Sequence, residues 1–156
     1  MTQPIVFHPI GIIHSPFKEP VNMPIQPAGA KGIRGQVELL PEFCEGLDDI
    51  DGFSHIYLIY FLHKIQDYRL KVKPYLDHVK RGVFATRAPH RPNAIGLSLV
   101  KLIRREGCVL TVENIDVIDG TPLLDIKPYV PHMYDTEDMR YGWLERYLEK
   151  FKTKKS

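Results

Sequence analysis

The sequence predicts a mainly β domain: a small antiparallel β-barrel with short helices and one C-terminal helix. Three observations carry this. Between Phe53 and His63 both alternating sets of side chains are apolar or aromatic, Ile56, Leu58, Tyr60 and Leu62 against Tyr57, Ile59 and Phe61. A strand covered on both faces fits a barrel wall or a subunit interface. The run from Cys108 to Ile118 also keeps apolar groups on both faces. Finally, one strand-like run follows the next through a turn with no helix between, which argues for antiparallel pairing over βαβ units.

Taken in order, Val6 to His14 reads as a strand closed by Ser15-Pro16, with Pro9 and Gly11 marking an edge or a bulge. Lys18 to Gly35 holds Pro20, Pro24, Pro27, Gly29, Gly32 and Gly35, a density that excludes a regular element and predicts a long ordered loop or a lid. Gln36 to Leu40 is a short strand, and Pro41 to Ile50 a short helix with proline in its first turn. Asp51-Gly52 turns the chain into the two-sided strand. Leu70 to Leu76 is a further strand candidate, Gly96 to Ile103 another, and Arg104 to Gly107 the turn that leads into Cys108 to Ile118. Asp135 to Phe151 closes the chain as an amphipathic helix, with Met139, Trp143 and Tyr147 on its apolar stripe.

At 156 residues the chain reads as a single domain, 1–156, able to bury a core without staples. No apolar run approaches the roughly 20 residues that cross a bilayer. The N-terminus has neither a basic start nor a signal-like apolar stretch, so a cytoplasmic address is expected. Cys44 and Cys108 have no metal-ligand spacing and are expected to be buried or indifferent thiols. His55 and His63 stand eight residues apart, roughly 26 Å along a strand, too far to share a metal, and no metal site is expected. Charge is segregated: Gly35 to His63 holds six acids and no Lys or Arg, whereas Lys64 to Arg105 holds eleven basic residues against Asp67 and Asp77. Such a stripe either faces phosphates or lies against the acidic segment.

Two segments stand out as candidate sites. The loop from Thr86 to Gly96 presents Arg87, His90, Arg91 and Asn93 on a backbone stiffened by Pro89 and Pro92, which suits recognition of a planar, polar or anionic ligand. It can equally be a surface loop whose arginines pair with carboxylates. In Asp119 to Pro131, Asp125 and Lys127 project from one face, as a plain salt bridge or as working groups. No phosphate-binding Gly-rich loop, dinucleotide fingerprint or nucleophile elbow occurs.

Four stretches in order, Ile10-Gly-Ile-Ile-His-Ser-Pro-Phe-Lys18, Gly52-Phe-Ser-His55, Gly82 to Gly96 and Asp119-Gly-Thr-Pro-Leu-Leu-Asp-Ile-Lys-Pro-Tyr-Val-Pro131, resemble the TsaA-like (TrmO) family. The resemblance implies a homodimeric β-barrel enzyme that uses S-adenosylmethionine to methylate the exocyclic nitrogen of threonylcarbamoyladenosine beside the anticodon of a tRNA. It further implies that Arg87, Pro89, His90, Arg91 and Asn93, with Asp119, Gly120 and Thr121, hold the cofactor or order its pocket. Asp119, Asp125 and Lys127 would serve the reacting centre, and Gln26, Arg91, Lys127 and Tyr129 would contact the substrate. The chain departs from the family pattern at Ile25, where many relatives carry arginine, and at Ala94, where they carry proline. A barrel that binds a purine ligand or RNA without chemistry, and a methyltransferase with a non-tRNA acceptor, remain open alternatives.

Overall fold

The two-sided strand is realised as β3 (His55–Phe61), which hydrogen-bonds along both edges. Its inner set, Ile56, Leu58 and Tyr60, is buried, and its outer set is half-buried to exposed. The computed structural model describes residues 2–19, 30–75, 77–130 and 138–148. Six strands close the barrel in the order β1 (Gly11–His14), β2 (Arg34–Leu39), β7 (Val109–Glu113), β6 (Ile95–Glu106), β3 and β8 (Thr121–Pro128), which returns to β1. Every neighbouring pair is antiparallel. Closure leaves no unpaired sheet edge. The interior is filled by Ile13, Val37, Ile56, Leu58, Val100, Leu110, Val112 and Leu123, all fully buried.

Several elements differ from expectation for local reasons. The first strand is confined to Gly11–His14, after Pro9, whose missing N–H cannot serve a ladder. The expected helix after Pro41 is a 3₁₀ segment, Pro41–Leu47, followed by a second short one at Ile50–Gly52. The strand expected at Leu70 to Leu76 stops at Val72, ahead of Pro74; β4 (Lys71–Val72) pairs with β5 (Arg81–Gly82) in a separate ribbon. Strand β6 runs on through the expected turn to Glu106, with a bulge between Leu102 and Arg104, and the reversal falls on Gly107 at φ +62. Strand β7 ends at Glu113 because Asn114 takes φ +70, its side-chain oxygen accepting from Gly32 N–H at 2.8 Å. Of the expected C-terminal helix, the described part turns from a 3₁₀ segment, Gly142–Leu144, into helix over 145–148.

The cysteines correct the thiol expectation: Cys44 and Cys108 form a disulfide, 64 residues apart, with Cα atoms 5.1 Å apart. Leu39 N–H donates to the Cys108 carbonyl at 2.9 Å, which extends the β2–β7 ladder, and the 3₁₀ segment then folds Cys44 back over that point. Arg105 braces the same corner, donating to the Cys44 carbonyl at 3.4 Å and to Asp48 Oδ1 at 3.1 Å. The contact depends on strand pairing, so spacing along the chain carries no sign of it.

Gly96 is demanded by packing. A Cβ there would lie 2.1 Å from the Tyr60 ring, which crosses the Gly96 backbone on the neighbouring strand. Gly96→Ala is therefore expected to cost about 1–3 kcal/mol in denaturant unfolding, since the ring is buried and cannot swing clear.

The C-terminal segment docks at the foot of the β4–β5 ribbon. Trp143 Nε1 donates to the Ala85 carbonyl at 2.7 Å, and the Arg81 guanidinium stands 5.9 Å from the Trp143 ring centre. Beneath them Asp77, 2% exposed, accepts from Arg81 Nε at 2.6 Å, from His78 N–H at 2.8 Å and from Tyr147 OH at 3.2 Å. The Arg81 hydrogen bond is the main reason its carboxyl falls to about 2. A depressed carboxylate stabilises the fold fully above its unfolded value of 3.8 and loses that contribution as pH falls through about 2. Trp143 emission is thus expected to change across that acid window, and Asp77→Asn to remove the transition while weakening the docking at neutral pH.

Candidate functional site at one mouth of the barrel

In an antiparallel barrel, alternate strands begin and end on the same rim. Here β2, β6 and β8 begin, and β1, β3 and β7 end, on one rim, as the pairings His14↔Gln36, Ile13↔Thr121 and Phe61↔Ile95 show. Three segments that stand far apart in sequence therefore meet at this mouth: Ser15 to Lys18 leaving β1, the central loop entering β6, and Asp119-Gly120 entering β8. Strand β3 lies between β6 and β8, so the last two are separated by two strand spacings, roughly 10 Å.

Asp119 is the best-held charge at the mouth. Its carboxylate accepts from Lys18 Nζ at 2.6 Å and from Ser15 N–H at 2.9 Å, and His14 Nδ1 lies 3.8 Å away. The Lys18 hydrogen bond first, and the Ser15 N–H second, hold its carboxyl below the usual carboxylate range. Backbone bonds fix the turn itself: Asp119 N–H donates to Phe17 O at 2.7 Å and Gly120 N–H to Ile13 O at 2.8 Å. Gly120 adopts φ +82, and nothing lies within 4 Å of where its Cβ would be, so bare backbone faces open space there. Thr121 is buried, its hydroxyl donating to Ile118 O at 2.6 Å, and so shapes the turn.

The central loop is braced by its own polar groups. Arg91 Nη1 donates to the Thr86 and Ala88 carbonyls at 2.8 and 3.0 Å. Arg87, exposed, reaches the Leu97 carbonyl through Nη2. His90 Nδ1 lies 2.8 Å from Asp67 Oδ1. Pro89 and Asn93 are exposed, and the Asn93 carbonyl accepts from Ile95 N–H at 2.8 Å as β6 begins. His63, just beyond β3, is held below the usual histidine range by burial and by Lys64.

A polar chain inside the mouth escaped the sequence reading. Tyr60 OH lies 2.8 Å from Ser98 Oγ, which donates to Asp116 Oδ1 at 2.6 Å. Burial, with the Asp116 charge, pushes the Tyr60 phenol up to about 12, and burial also raises the Asp116 carboxyl. Ser98 was the available signal, a hydroxyl in the inward set of β6 between Gly96 and Val100.

The structure does not bring the remaining candidates to this mouth. Asp125 pairs in register with Ile59 and Lys127 with Tyr57, which puts both on the outer wall towards the opposite rim. They form an ion pair of 3.2 Å with 48% and 65% of their side chains exposed. Tyr129 follows them, its ring edge-on to Tyr57 at 5.7 Å and its N–H donating to His55 O at 3.1 Å. From Asp119 to Tyr129 the strand spans roughly 30 Å. Gln26 lies outside the described residues.

The donor set at the mouth fits S-adenosylmethionine. Guanidiniums on one side suit a carboxylate, the Asp119 carboxylate suits a cation or a hydroxyl pair, and the open Gly120 backbone leaves room for a flat ring. Comparison with known proteins points to the same cofactor. Residues 12–136 match the family described as tRNA-methyltransferase O N-terminal domain. A probable S-adenosyl-L-methionine-binding protein of Pyrococcus abyssi is 57% identical over 94% of this chain and 79% of its own length. The tRNA (adenine(37)-N6)-methyltransferase of Escherichia coli is 36% identical over 80% of this chain and 57% of its own. A crystal structure of TrmO from Pseudomonas aeruginosa superposes with a TM-score of 0.74 at 42% identity, over 90% of this chain and 62% of that one. This chain thus spans little more than half the length of two of these three. With the three motif segments gathered on one rim and the match extending over most of the barrel, the chain belongs to the tRNA-methyltransferase O N-terminal domain family.

Proposed function

We propose that this protein is an S-adenosylmethionine-dependent tRNA methyltransferase that methylates N6 of threonylcarbamoyladenosine next to the anticodon, working as a cytoplasmic homodimer. The observation that carries the reading is the convergence of Asp119-Gly120, Ser15 to Lys18 and the arginine loop on one barrel mouth. When bound, S-adenosylmethionine supplies a methyl group already activated by its sulfonium. What remains for the chain is placement of the acceptor nitrogen in line with that methyl and acceptance of the nitrogen's proton. Arg87 and Arg91 hold the polar ends of the cofactor, with Pro89, His90 and Asn93 keeping the loop in shape. Gly120 and Thr121 form the floor. Asp119, ionised and oriented by Lys18, is the carboxylate that takes or directs the proton. Asp125, Lys127 and Tyr129 reach a reacting centre only across a subunit interface.

That interface is offered by the outer wall. Across β3 and β6, Phe61 stands opposite Ile95, Ile59 opposite Leu97 and Tyr57 opposite Leu99. Phe61, Ile95, Leu97 and Leu99 are each at least 40% exposed, a contiguous apolar strip of the kind monomers rarely leave uncovered. Leu97→Lys should convert a dimer into a monomer by light scattering; an unchanged mass would assign the contact elsewhere.

The reaction is tested by transfer of labelled methyl from S-adenosylmethionine to total tRNA from a host lacking this protein, with and without prior threonylcarbamoylation. Label confined to the modified pool is expected. Cofactor binding without label in either pool would replace the reading with another acceptor or a binding role.

A further inference from the structure

The β4–β5 ribbon lies outside the motif segments except at Gly82, where it runs into the central one. It leaves the barrel after β3 and returns into the central loop, and its foot is tied to that loop. Arg69 N–H donates to His90 O at 3.2 Å, and Asp67 holds the His90 ring. Val83 N–H donates to Leu70 O at 2.9 Å beside the two-residue ladder. The ribbon is thus a short arm whose direction is fixed by the loop that carries Arg87 and Arg91.

Its surface is unusual in two respects. Tyr68, Tyr75 and Phe84 are 58%, 64% and 76% exposed, so three aromatic rings face solvent on the ribbon's connection and the chain that flanks it. Interleaved with them are the exposed Lys71, Lys73 and Lys80. The nearby carboxylates are already engaged, Asp67 by His90 and Asp77 by Arg81, and among the described residues no acid forms an ion pair with any of the three lysines. Lysines with no ion pair among the described residues, interspersed with exposed rings, match single-stranded nucleic acid, where phosphates meet the charge and unpaired bases stack on the rings. A paired stem would meet the lysines alone.

We propose that the β4–β5 ribbon is an RNA-gripping arm, with Tyr68, Tyr75 and Phe84 stacking on unpaired bases and Lys71, Lys73 and Lys80 neutralising the flanking phosphates. This rests on tRNA being the substrate. The arm would hold the open loop of the tRNA while the mouth works on one base.

The test is fluorescence anisotropy with the full chain, using a labelled anticodon stem–loop RNA and a fully paired duplex of the same stem. The combined Tyr68→Ala, Tyr75→Ala, Phe84→Ala variant is expected to bind the stem–loop at least about ten-fold more weakly and the duplex almost unchanged. Leucine at the same three positions keeps bulk but removes the rings, and should lose the stem–loop to the same degree. Replacing the three lysines by alanine should weaken both RNAs and flatten the salt dependence by about two units of slope. Calorimetric affinity for S-adenosylmethionine should stay as in the wild type throughout, which shows that the barrel and mouth are intact. Equal stem–loop affinity in wild type and both aromatic variants, with methyl transfer intact, would overturn the arm alone. A wild type that binds neither RNA would overturn the tRNA reading, and the arm with it.

Discussion

Replacing Cys44 and Cys108 together by serine should lower the unfolding free energy by about 4 kcal/mol, because the bridge closes a loop of 64 residues in the unfolded chain. For a chain of this size that corresponds to a fall in Tm of roughly 10 °C. The same shift should follow reduction of the wild type, and the double variant should then be insensitive to reductant. Those two measurements separate loss of the bridge from damage to packing. The location sharpens the expectation, since the bridge pins the 3₁₀ segment over the rim opposite the mouth. Cofactor affinity should therefore survive at temperatures where the variant is still folded.

Asp119→Asn should reduce kcat/KM on the order of 100-fold with little change in stability. Asparagine keeps an acceptor for the Ser15 N–H at 2.9 Å, so the turn should persist, but it removes the charge that holds Lys18 at 2.6 Å. The pH profile distinguishes a chemical role from a structural one. Lys18 and the Ser15 N–H keep Asp119 ionised below the usual carboxylate range. Wild-type kcat/KM should therefore hold at neutral pH and fall only as the medium turns acid enough to protonate Asp119. The variant should lack that acid limb. An identical limb in both would assign the proton to another group.

Much of the barrel was legible in the alternation of β3, where two apolar sets announced a buried inside and an apolar outer wall. The turns at the start of both candidate segments were legible as well, because prolines and an Asp-Gly pair mark backbone that is shaped rather than merely connecting. What alternation cannot convey is which strands become neighbours. The order that seats β3 between β6 and β8 decides that Asp119 and the arginine loop share a rim. It also decides that Asp125 and Lys127, rightly read as projecting from one face, stand on the outer wall. The disulfide and the Tyr60–Ser98–Asp116 chain were hidden for the same reason, since each joins residues that only strand pairing brings together. Strand lengths failed more locally, at Pro9, Pro74 and Asn114, where one residue's conformation ends or shortens a run that its neighbours would otherwise support.

The position of the site is tested most directly by titrating the isotope-labelled protein with S-adenosylmethionine and following backbone amide resonances. The expected result is that Ser15, Asp119, Gly120 and residues 86–94 shift together and saturably, while those lining the opposite rim, such as Phe43, Asp49 and Phe53, stay in place. Shifts concentrated at that opposite rim, with Asp119 and the central loop unmoved, would contradict the account.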